Sequence, residues 1–170
     1  MKRWTGVFPA ATTKMRQDGS VDLPATQAGI NRLIEGGVAG VIVLPMLGEN
    51  ASLAPEEKEA VIRAAREAVA GRVPLLSGLA EVSSANAVRA AKLFQIYGAE
   101  GLMVFPSLVY LTDSRETVRW YKDIAAASDL LFPTIREEVA ARVLTTSVDD
   151  VALVVAQLGT WAGSIGAAVH

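Results

Sequence analysis

The sequence predicts an α/β chain built on a parallel sheet or barrel, and two patterns carry that reading. Nearly continuous apolar runs start close to residues 7, 41, 74 and 101, which sets a repeat of roughly thirty residues, the length of a strand–helix–strand unit. Each run is followed by a segment with helical spacing and helix punctuation, and such alternation implies right-handed parallel crossovers. A third observation narrows the class. No Gly-x-Gly-x-x-Gly loop follows the first run, which weakens a doubly wound nucleotide-binding fold.

The elements follow in order. "GVFPAATT" (Gly6–Thr13) reads as the first strand, and a helix over about Pro24–Glu35 carries Ile30, Leu33 and Ile34 on one face before stopping at Gly36-Gly37. "GVIVLP" (Gly40–Pro45) is the second strand. Its helix starts at Pro55 with "EEKE", acidic residues suited to the positive end of the helix dipole, and stops at Gly71. "VPLLSGLA" (Val73–Ala80) is the third strand, and its helix is capped by Ser83 or Ser84 and ends at Gly98. "GLMVFP" (Gly101–Pro106) is the fourth. The helix after it begins "DSRE", where Asp113 caps and Glu116 reaches back as the third residue of a capping box.

Beyond residue 130 the rhythm compresses. "LLFP" reads as a short fifth strand or its stub, and "TIREEVAAR" as a brief helix with a Thr134/Glu137 capping box and one face at Ile135, Val139 and Val143. "VLTTS" then feeds the Val148–Asp150 turn. The expected organisation is one domain over 1–170: four βα units over 1–130, a compressed bridge over 131–145, and a last βα unit with a final strand over 146–170.

Composition limits the function classes. A chain of 170 residues fits one domain and needs no staples to fold. It has no cysteine, so it holds neither disulfides nor thiolate metal sites, which fits a reducing cytoplasm. The net charge of −2 calls for neither nucleic acid nor an acidic membrane surface. The start "MKRWTGVFPAATTK" lacks a long apolar run with a cleavage-like site, and no segment reaches the ~18 apolar residues of a membrane span. A cytoplasmic protein is expected. No residue cluster suits a metal, and His170, the only histidine, is the last residue. Trp4, Trp120 and Trp161 read as packing aromatics, because no basic residues interleave them as in a base-stacking platform.

In a parallel barrel the working residues lie where strands end and βα loops begin. The most distinctive such loop is "LPMLGENASLAPEEK", Leu44–Lys58. Gly48 permits a tight turn or a close backbone approach to a ligand, and Glu49 and Asn50 place polar atoms at the mouth. The plain structural alternative is that Gly48 makes a turn and Glu49 caps backbone amides within it.

Several stretches together resemble one family. They are "DGSVD" (Asp18–Asp22), "GVAGVIVLPMLGENASLAPEEKEAVI" (Gly37–Ile62), "GRVPLLSGLAE" (Gly71–Glu81), "YGAEGLMVFPSLVY" (Tyr97–Tyr110) and "RETVRWYKDIAAASDL" (Arg115–Leu130). In order and spacing they resemble the dihydrodipicolinate synthase / N-acetylneuraminate lyase family of (β/α)8 TIM barrels, and "VDDVALVVAQLGTWAGSIGAA" (Val148–Ala168) resembles its seventh strand end, seventh helix and eighth strand. The resemblance implies an incomplete barrel lacking about one and a half βα units, shortened around 130–145. It also implies carbon–carbon lyase or aldolase chemistry on pyruvate or a related 2-keto acid, without a cofactor.

In that family a lysine at the sixth strand end forms a Schiff base, and a tyrosine at the fifth strand end relays protons. Neither motif occurs here. The lysines are Lys2, Lys14, Lys58, Lys92 and Lys122, none in an Ile-Lys-Glu context, and all five read as solvated surface residues. At the lysine's place stands Arg136, which stays protonated and cannot act as that nucleophile. Met46 and Leu47 stand where the family usually has two hydroxyl residues, so the side-chain proton relay is gone while the Leu47 amide can still bind a carboxylate. The resemblance therefore implies substrate contacts at Met46, Leu47, Gly48 and Glu49. Tyr110 is the catalytic candidate, placed near a loop from which a family tyrosine reaches a neighbouring subunit's site; a plain barrel-rim tyrosine fits as well.

Three readings stay open. The chain belongs to an active keto-acid lyase whose missing segments the sequence omits, or it is an inactive shortened member kept for binding or assembly. The third is a barrel enzyme using Glu49 with Asp149 and Asp150 as acid–base groups, although those aspartates directly precede a helix, where caps are commonest. Unclosed parallel edges beside "GLMVFP" and "VLTTS" predict a homo-oligomer.

Overall fold

The computed structural model describes residues 5–106, 109 and 113–127. The chain divides into two compact units, Met1–Ile135 and Arg136–His170, and every described residue lies in the first. "LLFP", the Thr134 capping box, Arg136, "VLTTS", Asp149, Asp150, His170, Trp4, Trp161, Lys2 and Tyr110 lie outside the described residues.

The described part alternates as the spacing requires. Helix α1 (Leu23–Glu35), strand β1 (Val41–Val43), a 3-10 turn (Met46–Gly48), α2 (Pro55–Val69), β2 (Leu75–Leu79), α3 (Ser84–Tyr97), β3 (Gly101–Val104) and α4 (Ser114–Ala127) follow one another. The three strands form a parallel sheet in the order β1-β2-β3. Val41 pairs with Leu75, and Leu76 with Gly101, so the register advances without a break from one strand to the next.

The first expected strand is less than a strand. The segment around Val7–Ala11 runs parallel beside β1 with Ala10 opposite Ile42, through bonds from Ala39 N to Val7 O (2.9 Å), Ile42 N to Pro9 O (3.0 Å) and Ala11 N to Ile42 O (2.8 Å). Pro9 has no N–H to donate, which interrupts the ladder and leaves a single bridge. The sequence reading of Gly6–Thr13 as a strand is corrected to an extended, partly paired segment. After it the chain makes a small antiparallel turn, with Met15 opposite Val21 and the Asp18 side chain accepting from Ser20 N at 2.9 Å.

The helices obey their caps. Asp22 accepts from Ala25 N at 3.0 Å to start α1, and Ser83 accepts from Asn86 N at 3.3 Å to start α3. At α4 the reciprocal capping box forms as its sequence demands: Glu116 N donates to Asp113 Oδ1 at 2.8 Å, and Asp113 N donates to Glu116 Oε2 at 3.1 Å. The start of α2 has only half of such a box, because Ala54 offers no side-chain acceptor; its N–H still donates to Glu57 Oε2 at 2.9 Å.

One face of the sheet is buried against the helices. Val41, Val43, Leu75, Leu79 and Leu102 meet Ile30 of α1, Val61, Ile62, Ala65 and Val69 of α2, Ala87, Ala91 and Phe94 of α3, and Trp120 and Ile124 of α4. Trp120 is core, as its sequence context predicts, and its indole N–H donates to Phe105 O at 3.2 Å. By the register the other face carries Ala10, Ile42, Leu76, Gly78 and Met103, the side that lines the inside when such units close into a barrel.

Lys58 corrects another expectation. It is buried rather than solvated, and its Nζ lies 3.1 Å from Glu81 Oε1, joining the first turns of α2 to the segment after β2. The side chains are 11% and 21% exposed, so removing one partner leaves the other charge poorly hydrated. Lys58→Met is expected to lower unfolding free energy by about 2 kcal/mol in urea titration, more than an exposed pair such as Arg119–Asp123 contributes. An effect below about 0.5 kcal/mol would show that the pair is merely superficial.

Candidate functional site

The site candidates sit where β1 ends, and the turn there is built from backbone geometry that side chains rarely adopt. After Val43, Leu44 takes a positive φ of 51° while its side chain is fully buried, and Glu49 takes a φ of 60°. Non-glycine residues in the left-handed region carry strain, which persists only where neighbours over-determine the conformation. Between them Pro45 leads into the 3-10 turn, closed by Gly48 N to Pro45 O (2.8 Å) and Glu49 N to Met46 O (3.3 Å).

Two side chains hold that turn. Asn50 is 1% exposed, and its Nδ2 donates to Leu44 O at 2.7 Å and to Gly78 O at 3.0 Å, tying the end of β1 to the inner position of β2. Thr13 Oγ1 donates to Gly48 O at 2.7 Å, which ties the first extended segment to the same turn. Three neighbouring strand ends are thus joined through one loop. Asn50 Oδ1 is buried without a hydrogen-bond partner among the described residues, a cost accepted for the two carbonyls that the amide satisfies.

Packing explains the glycines. A Cβ on Gly78 would lie 2.0 Å from Leu44 O, and one on Gly48 would lie 2.7 Å from Pro45 Cδ and 3.3 Å from Ala11 O. Gly48 is therefore needed for close approach rather than for a positive φ, which falls on Leu44 and Glu49 instead.

The four sequence-predicted contact residues come together on this one turn, with unequal surroundings. Gly48 is buried, Glu49 is exposed, and Met46 and Leu47 are 43% and 69% exposed. Among the described residues the Glu49 side chain caps no backbone amide. Its own carbonyl accepts from Ser52 N (2.9 Å) and Leu53 N (3.2 Å), and its carboxylate is 3.5 Å from Ser52 Oγ. Asn50 is also placed differently from the expectation: it is a buried brace, not a polar group at the mouth. Among the described residues no hydrogen bond runs from the Met46 or Leu47 amide, and both residues are exposed, so the first turn of the 3-10 segment holds two N–H donors without a partner there. Such donors suit a carboxylate oxygen. Among the described residues no cluster of three His, Cys, Asp or Glu side chains could hold a metal, and no helix is long and apolar enough to cross a membrane.

Sequence reasoning missed Thr13, Gly78 and the role of Asn50. An Asn directly after Gly-Glu is a signal for local backbone bonding, yet its reach to Gly78, 28 residues away, needs the fold.

Comparison with known proteins decides the family. Residues 3–144 match the model of the dihydrodipicolinate synthetase family. The chain belongs to that family. Within the dihydrodipicolinate synthetase family, a Streptomyces coelicolor protein named "Probable 5-dehydro-4-deoxyglucarate dehydratase 1" is 42% identical over 123 residues, which cover 72% of this chain and 38% of that one. The 4-hydroxy-tetrahydrodipicolinate synthase of Methanosphaerula palustris is 34% identical over 139 residues, covering 81% of this chain and 47% of the other. Among solved structures of the dihydrodipicolinate synthetase family, YagE of Escherichia coli K12, crystallised in complex with pyruvate, superposes with a TM-score of 0.71 at 31% identity, covering 75% of this chain and 43% of YagE. The aligned part of the chain thus spans about two-fifths to one-half of the relatives it matches. The parallel βα units described above are those of this barrel-forming family.

Proposed function

We propose that this chain supplies the carboxylate-binding part of a pyruvate-type 2-keto acid site, in a lyase or aldolase framework whose amine nucleophile it lacks. The observation that carries the reading is the braced turn Met46–Gly48 where β1 ends, whose exposed residues Met46 and Leu47 have amides with no hydrogen bond among the described residues. Its family membership and the pyruvate bound by the related YagE support the ligand class.

The lysines support the other half of the reading. Lys58 is committed to Glu81, and Lys92 and Lys122 lie on α3 and α4, away from the strand ends. Lys14 is exposed just beyond the first extended segment, outside the turn at the end of β1. The barrel is then incomplete by about one and a half βα units, and the chain by itself is catalytically silent. Homo-oligomer formation remains part of the proposal, since an unclosed parallel sheet favours association.

The test couples two measurements. Saturation-transfer NMR is expected to show pyruvate binding, and incubation with pyruvate and borohydride followed by intact mass measurement is expected to show no adduct. A reduced adduct on any lysine would overturn the proposal in favour of Schiff-base catalysis. Absence of pyruvate binding would overturn the carboxylate site itself.

A further inference from the structure

We infer that the ligand of this site is a 2-keto acid with an apolar substituent, branched aliphatic or aryl, rather than a polyhydroxylated sugar acid. This deepens the keto-acid reading above and rests on it. The inference comes from which side chains around the strand ends still have hydrogen bonds to give.

The buried polar side chains that brace the turn are already engaged. Thr13 Oγ1 is bound to Gly48 O at 2.7 Å and both donor bonds of Asn50 run to Leu44 O and Gly78 O, while Ser77, in register with Val43 and Leu102, belongs to the helix-packed face and bonds Gly78 O at 3.1 Å. All three residues are buried, so their donor groups serve the backbone and not a ligand. What remains open to solvent is mainly apolar: Met46 at 43%, Leu47 at 69%, and Met103 at 42% on the inner sheet face beside Gly78. Glu49 and Ser52 on the same loop and Thr12 at the end of the first extended segment are exposed polar side chains, two hydroxyls and one acceptor-only carboxylate.

A sugar acid carries several hydroxyls, each of which loses water on binding and needs a new partner. Among the described residues this surface offers such a set only the hydroxyls of Thr12 and Ser52 and the Glu49 carboxylate. An alkyl or aryl group, by contrast, covers the thioethers and the leucine and displaces their water, and a few methylenes in an apolar site change affinity by roughly tenfold or more. Methionine suits this role because its flexible, polarisable side chain adapts to irregular apolar shapes.

The experiment compares dissociation constants of three ligands on the intact chain by ligand-observed NMR: pyruvate, 4-methyl-2-oxopentanoate and 2-dehydro-3-deoxy-D-gluconate. The branched ligand is expected to bind about tenfold tighter than pyruvate, and the hydroxylated one no tighter than pyruvate. The double variant Met46→Thr with Leu47→Thr changes exposed side chains, so its thermal midpoint should stay within about 2 °C of wild type while the branched ligand's advantage falls below about twofold. Binding of the hydroxylated ligand as tight as or tighter than that of the branched ligand overturns the inference and leaves the keto-acid reading intact. An advantage that persists in the double variant overturns the assignment to Met46 and Leu47. Failure to bind any of the three 2-keto acids removes the keto-acid reading, and this inference with it.

Discussion

Gly78→Ala is expected to cost about 3 kcal/mol or more of unfolding free energy, although it adds a single methyl group in the middle of a strand. The added Cβ would sit 2.0 Å from Leu44 O and 2.6 Å from Leu44 C, atoms of a neighbouring backbone rather than the end of a flexible side chain. Relief requires the end of β1 to move by more than an ångström. That movement separates Leu44 O from Asn50 Nδ2 and opens the bond from Asn50 to Gly78 O, so overpacking and lost hydrogen bonds arise together. For a domain with typical stability of about 5–15 kcal/mol the loss is large, and urea titration followed by circular dichroism measures it. Gly29→Ala is the control. Gly29 lies within α1 with open space around its Cβ position, so alanine there should stabilise by about 0.5–1 kcal/mol. A Gly78→Ala protein as stable as wild type would mean that β1 and β2 do not approach as closely as described.

Asn50→Ala is expected to lower stability by about 2–4 kcal/mol, because it removes a donor from two buried carbonyls, those of Leu44 and Gly78, the second of which keeps the bond from Ser77 Oγ at 3.1 Å. The substitution also relieves the orphaned Oδ1, which keeps the loss nearer the lower figure. Asn50→Asp discriminates the cause: it retains the shape but replaces the donor group with an acceptor facing two carbonyl oxygens, and should be at least as damaging as alanine. If both variants melt within 0.5 kcal/mol of wild type by the approximate scale of ordinary surface substitutions, the brace contributes nothing. Gly78 and Asn50 share a partner in Leu44, so their double variant should fall short of additivity.

The separate origins of these two effects show which parts of the molecule can be read along the chain. Helix α4 was legible to its capping atoms, because Asp113 and Glu116 are three residues apart and the bonds that start the helix are local. The end of α3 at Gly98 was equally plain, since its φ of 112° lies in the region that glycine enters without a Cβ penalty. Strand positions were legible as apolar runs but not in their extent: Pro9 breaks the first one through a missing donor whose effect depends on which side faces β1. Lys58 was misread for a related reason. Its helix position looks solvated in a list of residues, and only the arrival of Glu81 from the next strand end buries it.

The candidate site divides along the same line. Sequence order placed Met46, Leu47, Gly48 and Glu49 on one loop after a strand and identified its unusual composition. Those are matters of local pattern and residue chemistry, which do not change with the fold. The left-handed Leu44 and Glu49, the bond from Asn50 to Gly78 and the anchoring of Gly48 by Thr13 arise only when three strand ends are neighbours. Residues 28 and 35 positions apart acquire a hydrogen bond because parallel crossovers return each strand beside the last, and no periodicity along the chain encodes which side chain then meets which carbonyl.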